Sequence, residues 1–402
     1  MKSTIQQYMD DIDKIKNEYA NIVIYGAGRK AISLCKMLES KIKIDAFIVT
    51  NKDENKDVEN NLPIVGVNKN SFAPQDTLVL IGVRTRWNDS VVETLKKHGF
   101  LHYIESPDGI EYLGSKDADR SKRSVLQVTL QIGCAINCKY CPQSLFVKRY
   151  KENSQREDKM NYDMFVKYLD GVTNDVILEF AGFSEPFFNK DCVRMLEYAD
   201  EKGYDIELFT TLQGLNENDL ERVLKIPYRE VVLHIPDEKG NSNICINDDY
   251  IRMLEHAINY VKADGTPFAD WGSCHGEPAE VVKPIVKNKL RILTQLHDRA
   301  GNLSFQELES KSNITGKIKC SGTQNFDHNV LLPDGTVLLC DSDWGMQHIL
   351  GNLKQQTYRE ILSGDAVREI KKRFDDETAG DLLCRSCCYA IPVENNEVKI
   401  YG

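Results

Sequence analysis

An α/β chain of three parts is predicted by three observations. Near the start, an apolar strand runs into a glycine turn and an amphipathic helix (NIVIYGAGRKA). From Ser124 onward, six further apolar runs alternate with helical patterns. A Pro-Asp-Gly hairpin and closely spaced cysteines mark the remainder. The expected boundaries are 1–115 for a small domain of parallel strands, 120–310 for the βα series and 311–402 for a small α+β domain. A length of 402 residues with 41% hydrophobic content supports two or three such cores.

In the first part, Ile5, Met9, Ile12, Ile15 and Tyr19 recur at helical spacing. Strands are expected at Ile22–Tyr25, Ile44–Val49, Thr77–Gly82 and Leu101–Ile104, with helices after Gly28 and over Asn88–His98. This alternation places the strands parallel in one sheet, a Rossmann-like arrangement. Gly26 and Gly28 stand in a G-x-G-x-x-A spacing, which allows a tight turn and close approach of a phosphate to a helix N-terminus. No acid ends the second strand (FIVTNKDEN), and Asp53 comes only afterwards, which argues against NAD. The polar run SPDGIEYLGSKDADRSKRS reads as a linker.

The second part has strand signals at Val125–Ile132, Val176–Ala181, Asp205–Thr211, Glu230–Ile235, Pro267–Trp271 and Leu290–Leu296, with helices between most of them, such as Tyr250–Lys262. The third part opens on NVLLPDGTVLLC, two strands around Pro333-Asp334-Gly335. Helices near Tyr358–Ser363 and Ala366–Phe374 follow, then LCRSCCYA.

Composition excludes several function classes. A net charge of −10 disfavours a polyanionic partner, so no nucleic acid is expected. The first twenty residues are too charged for a signal peptide, and no apolar run reaches membrane-spanning length, so no membrane partner is expected. Twelve cysteines in a long chain of this kind point to thiolate metal sites in a reducing cytoplasm.

Cys134, Cys138 and Cys141 form C-x3-C-x2-C (CAINCKYC) after the first strand of the βα series. Three thiolates on one loop can hold three irons of a [4Fe–4S] cluster and leave the fourth iron open. A zinc knuckle with a fourth ligand from elsewhere is the alternative. The motif and its place after a strand resemble the signature of the radical S-adenosylmethionine (SAM) superfamily. That resemblance implies a partial (β/α)6 TIM-like barrel with its reactive groups at the C-terminal strand ends. It also implies SAM chelated at the open iron, and a 5′-deoxyadenosyl radical that takes hydrogen from a C–H bond. An electron donor such as flavodoxin or ferredoxin is implied as well.

Within the resemblance, Gly182, Ser184 and Glu185 (EFAGFSEPFF) match a SAM-binding stretch, with Glu185 as partner for the SAM ammonium. Tyr140 takes the aromatic position beside the adenine, and Thr210 and Thr211 end the third strand near SAM. His234 ends the fourth strand. Asp270, Cys274 and His275 stand at or after the fifth, and Arg299 after the sixth. Cys274 is the candidate catalytic thiol, able to return a hydrogen atom to a substrate radical, with Cys245 next; a small buried side chain is the alternative for either.

Cys320 and Cys340 bracket the hairpin, and Cys384 and Cys387 form a C-x2-C further on. This resembles the twitch or SPASM-like module of radical SAM enzymes, which implies one auxiliary [4Fe–4S] cluster and two clusters in all. Cys388 can replace the last ligand, and a four-thiolate zinc site is chemically the same ligand set. The first domain also resembles Rossmann-like domains of bacterial surface-sugar proteins, pointing to a small-molecule substrate, a sugar or nucleotide-sugar. A docking or oligomerisation domain is the alternative. The expected activity is net oxidation or epimerisation of a carbohydrate-like or nucleotide-linked metabolite. A maturase of a ribosomal peptide and a non-catalytic metal-stabilised binding module are the alternatives.

Overall fold

The computed structural model describes every residue except 1–3, 40, 53–57, 70, 84–87, 108–122, 153–156, 263–264, 287–289, 293–298, 304–313, 324, 377–379 and 394–402. Asp53, most of the expected linker and the end of the expected sixth strand lie outside the described residues. The chain divides into two compact α/β units, residues 1–122 with 394–402 and residues 123–393.

Among the described residues the first unit has six strands: β1 (Asn21–Tyr25), β2 (Ala46–Val49), β3 (Val58–Glu59), β4 (Leu62–Gly66), β5 (Thr77–Ile81) and β6 (Tyr103–Glu105). They form one sheet in the order β3-β4-β2-β1-β5-β6, parallel except for the β3–β4 pair. The two-residue period of the strands sorts the core. Ile22, Ile24, Phe47, Leu78 and Leu80 face one layer with Tyr8, Ile12, Leu34 and Leu38. Val23, Tyr25, Ile48, Val79 and Ile81 face the other with Val91 and Leu95. The strand order reverses at β1, where the Gly26–Gly28 loop leaves the carboxyl edge. In open α/β sheets this is the place ligands use. Strand β4 was not among the expected strands. Pro63 sits at its start, and Ile64, Val65 and Gly66 carry the pairing to β2.

In the second unit, β7 (Val125–Val128), β8 (Ile177–Phe180), β9 (Ile206–Thr210), β10 (Glu230–His234), β11 (Trp271–Cys274) and β12 (Leu290–Ile292) lie side by side in chain order, all parallel. Helices between them cover the sheet: Phe165, Leu196, Leu254 and Ala257 pack on Leu126, Leu178, Leu208 and Val231. Next come β13 (Ile318–Cys320), β14 (His328–Leu331), β15 (Thr336–Leu338), β16 (Ile349–Asn352) and β17 (Ala390–Pro392). Strand β14 pairs parallel with β7, and β15 and β16 continue antiparallel, so the sheet reaches nine strands; β13 and β17 form a separate ribbon. The Pro-Asp-Gly turn closes with Gly335 N–H donating to Leu332 O at 2.9 Å. Its φ of 82° and the approach of Asn352 Oδ1, 2.8 Å from where a Cβ would stand, require glycine there.

The fifth strand of the series lies later than its apolar signal. Lys262 N–H donates to Thr266 O, and Pro267 cannot donate to a ladder. The strand therefore starts at Trp271 and ends at Cys274. As a result Asp270 stands at the amino edge, where its Oδ2 accepts from Val231 N at 2.8 Å, away from the strand ends where it was expected.

Candidate metal centres

The loop after β7 carries the first cysteine set at the carboxyl edge of the parallel sheet. Asn189 Nδ2 ties it down by donating to Leu130 O and Met160 O at 2.8 and 2.7 Å. Asn137, left-handed at φ 44°, turns the chain between the first two cysteines, and Asn137 N–H donates to Cys134 O. Lys139 N–H donates to Asn241 O and Asn243 N–H to Ile136 O, so the segment after β10 clamps the same loop. The Asp237 carboxylate shapes that clamp by accepting from the N–H groups of Lys239, Asn241 and Ser242.

The loop after β8 meets the cysteines directly. Burial pushes the Cys134 thiol up, against backbone N–H groups of Glu185 and Ile136 that donate to its sulfur. The Cys138 and Cys141 thiols hydrogen-bond each other. The shared proton raises Cys138 and lowers Cys141, and the Arg299 charge lowers Cys141 further, against burial. Ions entering this set must displace protons. Gly182 is fixed by close approach: φ is 62° and an added Cβ would stand 2.2 Å from Thr129 Oγ1, which accepts from Phe183 N at 3.0 Å. Gly182→Ala is expected to cost about 2–4 kcal/mol through strain and overpacking, read as a lower denaturant midpoint with unchanged slope.

Glu185, Thr210 and Thr211 come together. Glu185 Oε1 accepts from Thr210 Oγ1 at 2.5 Å and from Phe187 N at 3.4 Å. Its Oε2 accepts from Thr211 N and Thr211 Oγ1, both at 2.7 Å. A carboxylate has about four acceptor sites, so these donors fill it. Burial still holds the Glu185 carboxyl above its ordinary range, opposed by the two threonines. Two buried oxygens beside the cysteines, Ser184 Oγ and Gln143 Oε1, have no hydrogen-bond partner among the described residues. They are acceptors open to a donor such as an ammonium or a ribose hydroxyl, which fits the polar parts of SAM.

Tyr140 is buried and its ring lies 3.8 Å from that of His275, centroid to centroid. Burial lowers His234 to about 4, with Arg299 adding to the effect, so the imidazole is neutral at pH 7. Cys274 ends β11 inside the core, 1% exposed, with its sulfur 4.0 Å from Pro236 O; burial pushes its thiol up to about 12. Cys245 is exposed. Arg299 Nε donates to Tyr140 O at 3.4 Å. Gly26 and Gly28 belong to the other unit. Gly26 has φ 103° and packs under Val83, and Gly28 precedes the helix Arg29–Leu38 with open space where a Cβ would be.

The second set gathers from three segments. Cys320 lies on β13 and receives backbone N–H groups of Gly322 and Thr323; burial raises its thiol. Burial raises Cys340 well above its usual value, with Asp341 and Cys384 next in effect. Cys384, pushed up to about 12 by burial, also feels Cys320. Cys387 hydrogen-bonds Cys388, which raises it, and it feels Cys340. All five sulfurs therefore share one electrostatic neighbourhood. Among the described residues, no group of three or more His, Cys, Asp or Glu is arranged to hold a single metal ion.

Two features were missed from sequence. Trp344 stacks on Phe183, ring centroids 4.1 Å apart, joining the Cys340 loop to the Ser184–Glu185 loop. Arg385, between two cysteines and 1% exposed, donates to the carbonyls of Ile314, Gly316, Arg373 and Asp376. Neither role has a local signal, because the partners are distant in sequence.

Residues 320–388 match the SPASM family model, an iron–sulfur cluster-binding domain. No curated protein matches the chain. Among solved structures it is similar to BtrN in complex with AdoMet and 2-DOIA, with 16% identity, 69% of this chain and 97% of that chain covered, and a TM-score of 0.44. It is similar to Streptococcus suis SuiB bound to precursor peptide SuiA, at 14% identity, 75% and 84% coverage and a TM-score of 0.40. It is also similar to hexahistidine-tagged anSMEcpe with bound AdoMet, at 17% identity, 66% and 83% coverage and a TM-score of 0.40. At these scores the likenesses fix neither activity nor substrate. Among the described residues no helix is long and apolar enough to cross a membrane. What the comparisons reach is therefore the segment 320–388, which matches a SPASM iron–sulfur cluster-binding domain.

Proposed function

We propose that this chain is a radical SAM oxidoreductase or epimerase acting on a carbohydrate-like or nucleotide-linked metabolite. One observation carries the reading. A three-cysteine loop at the carboxyl edge of a six-strand parallel series shares one compact unit with a SPASM domain. In this reading the six strands are a partial (β/α)6 barrel over 120–310, 1–115 is a Rossmann-like domain, and 311–402 is the twitch/SPASM-like domain. Cys134, Cys138 and Cys141 hold the first [4Fe–4S] cluster, and Cys320, Cys340, Cys384 and Cys387 hold the auxiliary one. When bound, cluster and SAM supply a one-electron cleavage that generates a hydrogen-abstracting carbon radical. Ser184 and Gln143 offer acceptors to SAM, Tyr140 borders the site, and Glu185 with Thr210 and Thr211 fixes the loop that carries Ser184. Flavodoxin or ferredoxin supplies the electron, in a reducing cytoplasm.

The substrate class rests on the glycine loop at the switch point of the first sheet, a place suited to a phosphate. Native mass spectrometry of the intact protein is expected to find a retained nucleotide-sugar; a retained peptide would replace this reading with a maturase. The burial of Cys274 against Pro236 O supports oxidation ahead of epimerisation. In D2O the product is expected to carry no solvent deuterium at the attacked carbon, and Cys274→Ala to keep 5′-deoxyadenosine formation within about threefold. Deuterium that enters the product and vanishes in Cys274→Ala would instead assign epimerisation with Cys274 as the donor.

A further inference from the structure

Arg299 occupies a costly backbone position. Arg299, Ala300 and Gly301 take left-handed φ values of 50°, 55° and 81° in succession, and two of the three are not glycine. Asn302 locks the turn: its Nδ2 donates to Arg299 O at 2.7 Å and to Ser342 O at 2.9 Å, two residues beyond Cys340. Ala300 is buried under the same turn. The side chain emerges toward the other cysteine set, where Nε donates to Tyr140 O at 3.4 Å, one residue before Cys141. The turn thus reaches both sets through their chain neighbours, Tyr140 beside Cys141 and Ser342 two residues past Cys340, and the guanidinium feels Cys141 of the first set and Asp341, Tyr389 and Cys388 next to the ligands of the second. No ion pair with a carboxylate neutralises it among the described residues.

We propose that Arg299 is a shared positioning charge, fixed between the two cysteine sets, that raises the reduction potentials of both clusters together. The inference rests on the reading that each set carries an iron–sulfur cluster. One-electron reduction adds a negative charge to a cluster, and a permanent cation held nearby in a poorly solvated site stabilises that form. A cation on the surface of the unit, such as Arg222, would be screened. One residue facing both sets moves both potentials in the same direction. A residue with only a structural role moves neither.

The test is an EPR-monitored redox titration of the full chain, reconstituted anaerobically with iron and sulfide and without SAM. Each cluster is read alone in a Cys138→Ala or Cys384→Ala background. Arg299→Gln is expected to lower each reduced-to-oxidised ratio at least tenfold at fixed potential, a shift of about 59 mV for a one-electron couple. Arg299→Lys is expected to retain most of the wild-type value. Asp341→Asn removes an opposing charge felt by Cys320 and Cys340, so the auxiliary midpoint is expected to rise. Unchanged midpoints in iron-loaded Arg299→Gln, or movement of only one, would overturn the proposal. Should Arg299→Gln fail to load iron, equal midpoints for both clusters in Arg299→Lys and Arg299→Met, which differ in charge at similar length, would overturn it. Wild-type protein that takes up no two clusters would sink the functional reading instead.

Discussion

Cys138→Ala is expected to remove the first cluster and, with it, SAM cleavage, while leaving the fold and the auxiliary site in place. The thiol is half-buried and bonded within its own loop, to Cys141 and Tyr140, so its loss costs the protein little packing. The asymmetry lies in the metal chemistry. With one of three thiolates gone, two remain on the loop, and no other cysteine lies within it. Changing an outer partner of a metal ligand already costs about 10–100-fold in affinity or activity, and removing a ligand exceeds that. We therefore expect 5′-deoxyadenosine formation to fall by more than about 100-fold, and iron to fall from about eight to about four atoms per chain. The melting temperature should move by no more than about 4 °C. A Cys138→Ala protein that cleaves SAM like wild type would refute the site assignment.

Arg385→Ala is expected to be the most destabilising single change in the SPASM-like segment 320–388. The guanidinium is buried and joins the segment before β13, the end of the helix Asp365–Asp375 and the cysteine turn itself. Two of its acceptors, Arg373 O and Asp376 O, belong to the carboxyl end of that helix, where a cation also meets the helix dipole. Alanine leaves four part-buried carbonyls without their shared donor, at a cost of about 3–5 kcal/mol. For a unit of this size that corresponds to a melting point lower by about 10 °C. Lysine cannot reproduce the fork and should recover only part of the loss. Because Cys384 and Cys387 flank the residue, the auxiliary cluster should load poorly while the first loads normally. A melting point within about 2 °C of wild type would show that the carbonyls are satisfied otherwise.

What could be read in advance was local. The cysteine loop, the Pro-Asp-Gly turn and the glycine turn after β1 declare themselves within about ten residues, because spacing and backbone freedom are properties of short segments. Strand β4 was missed and β11 was read four residues early, because which residues of a short apolar run enter a ladder is set by pairing partners elsewhere in the chain. Glu185, Thr210 and Thr211 were each recognisable as candidate SAM contacts. That the threonines fill the Glu185 carboxylate is a fact about two strands meeting, and no one-dimensional pattern carries it. Arg385 illustrates the same gap: beside Cys384 it reads as a surface charge, yet its partners Ile314 and Gly316 stand about seventy residues away. Strand β14 joining β7 belongs here too, since a parallel neighbour about 200 residues later leaves no mark on either sequence.

The central claim is tested most directly by EPR of anaerobically reconstituted, dithionite-reduced protein, recorded with and without SAM. The account predicts two [4Fe–4S]-type signals, of which one, absent in Cys138→Ala, changes shape when SAM is added, with 5′-deoxyadenosine formed in the same sample. A single signal, or two that are both indifferent to SAM, would contradict it.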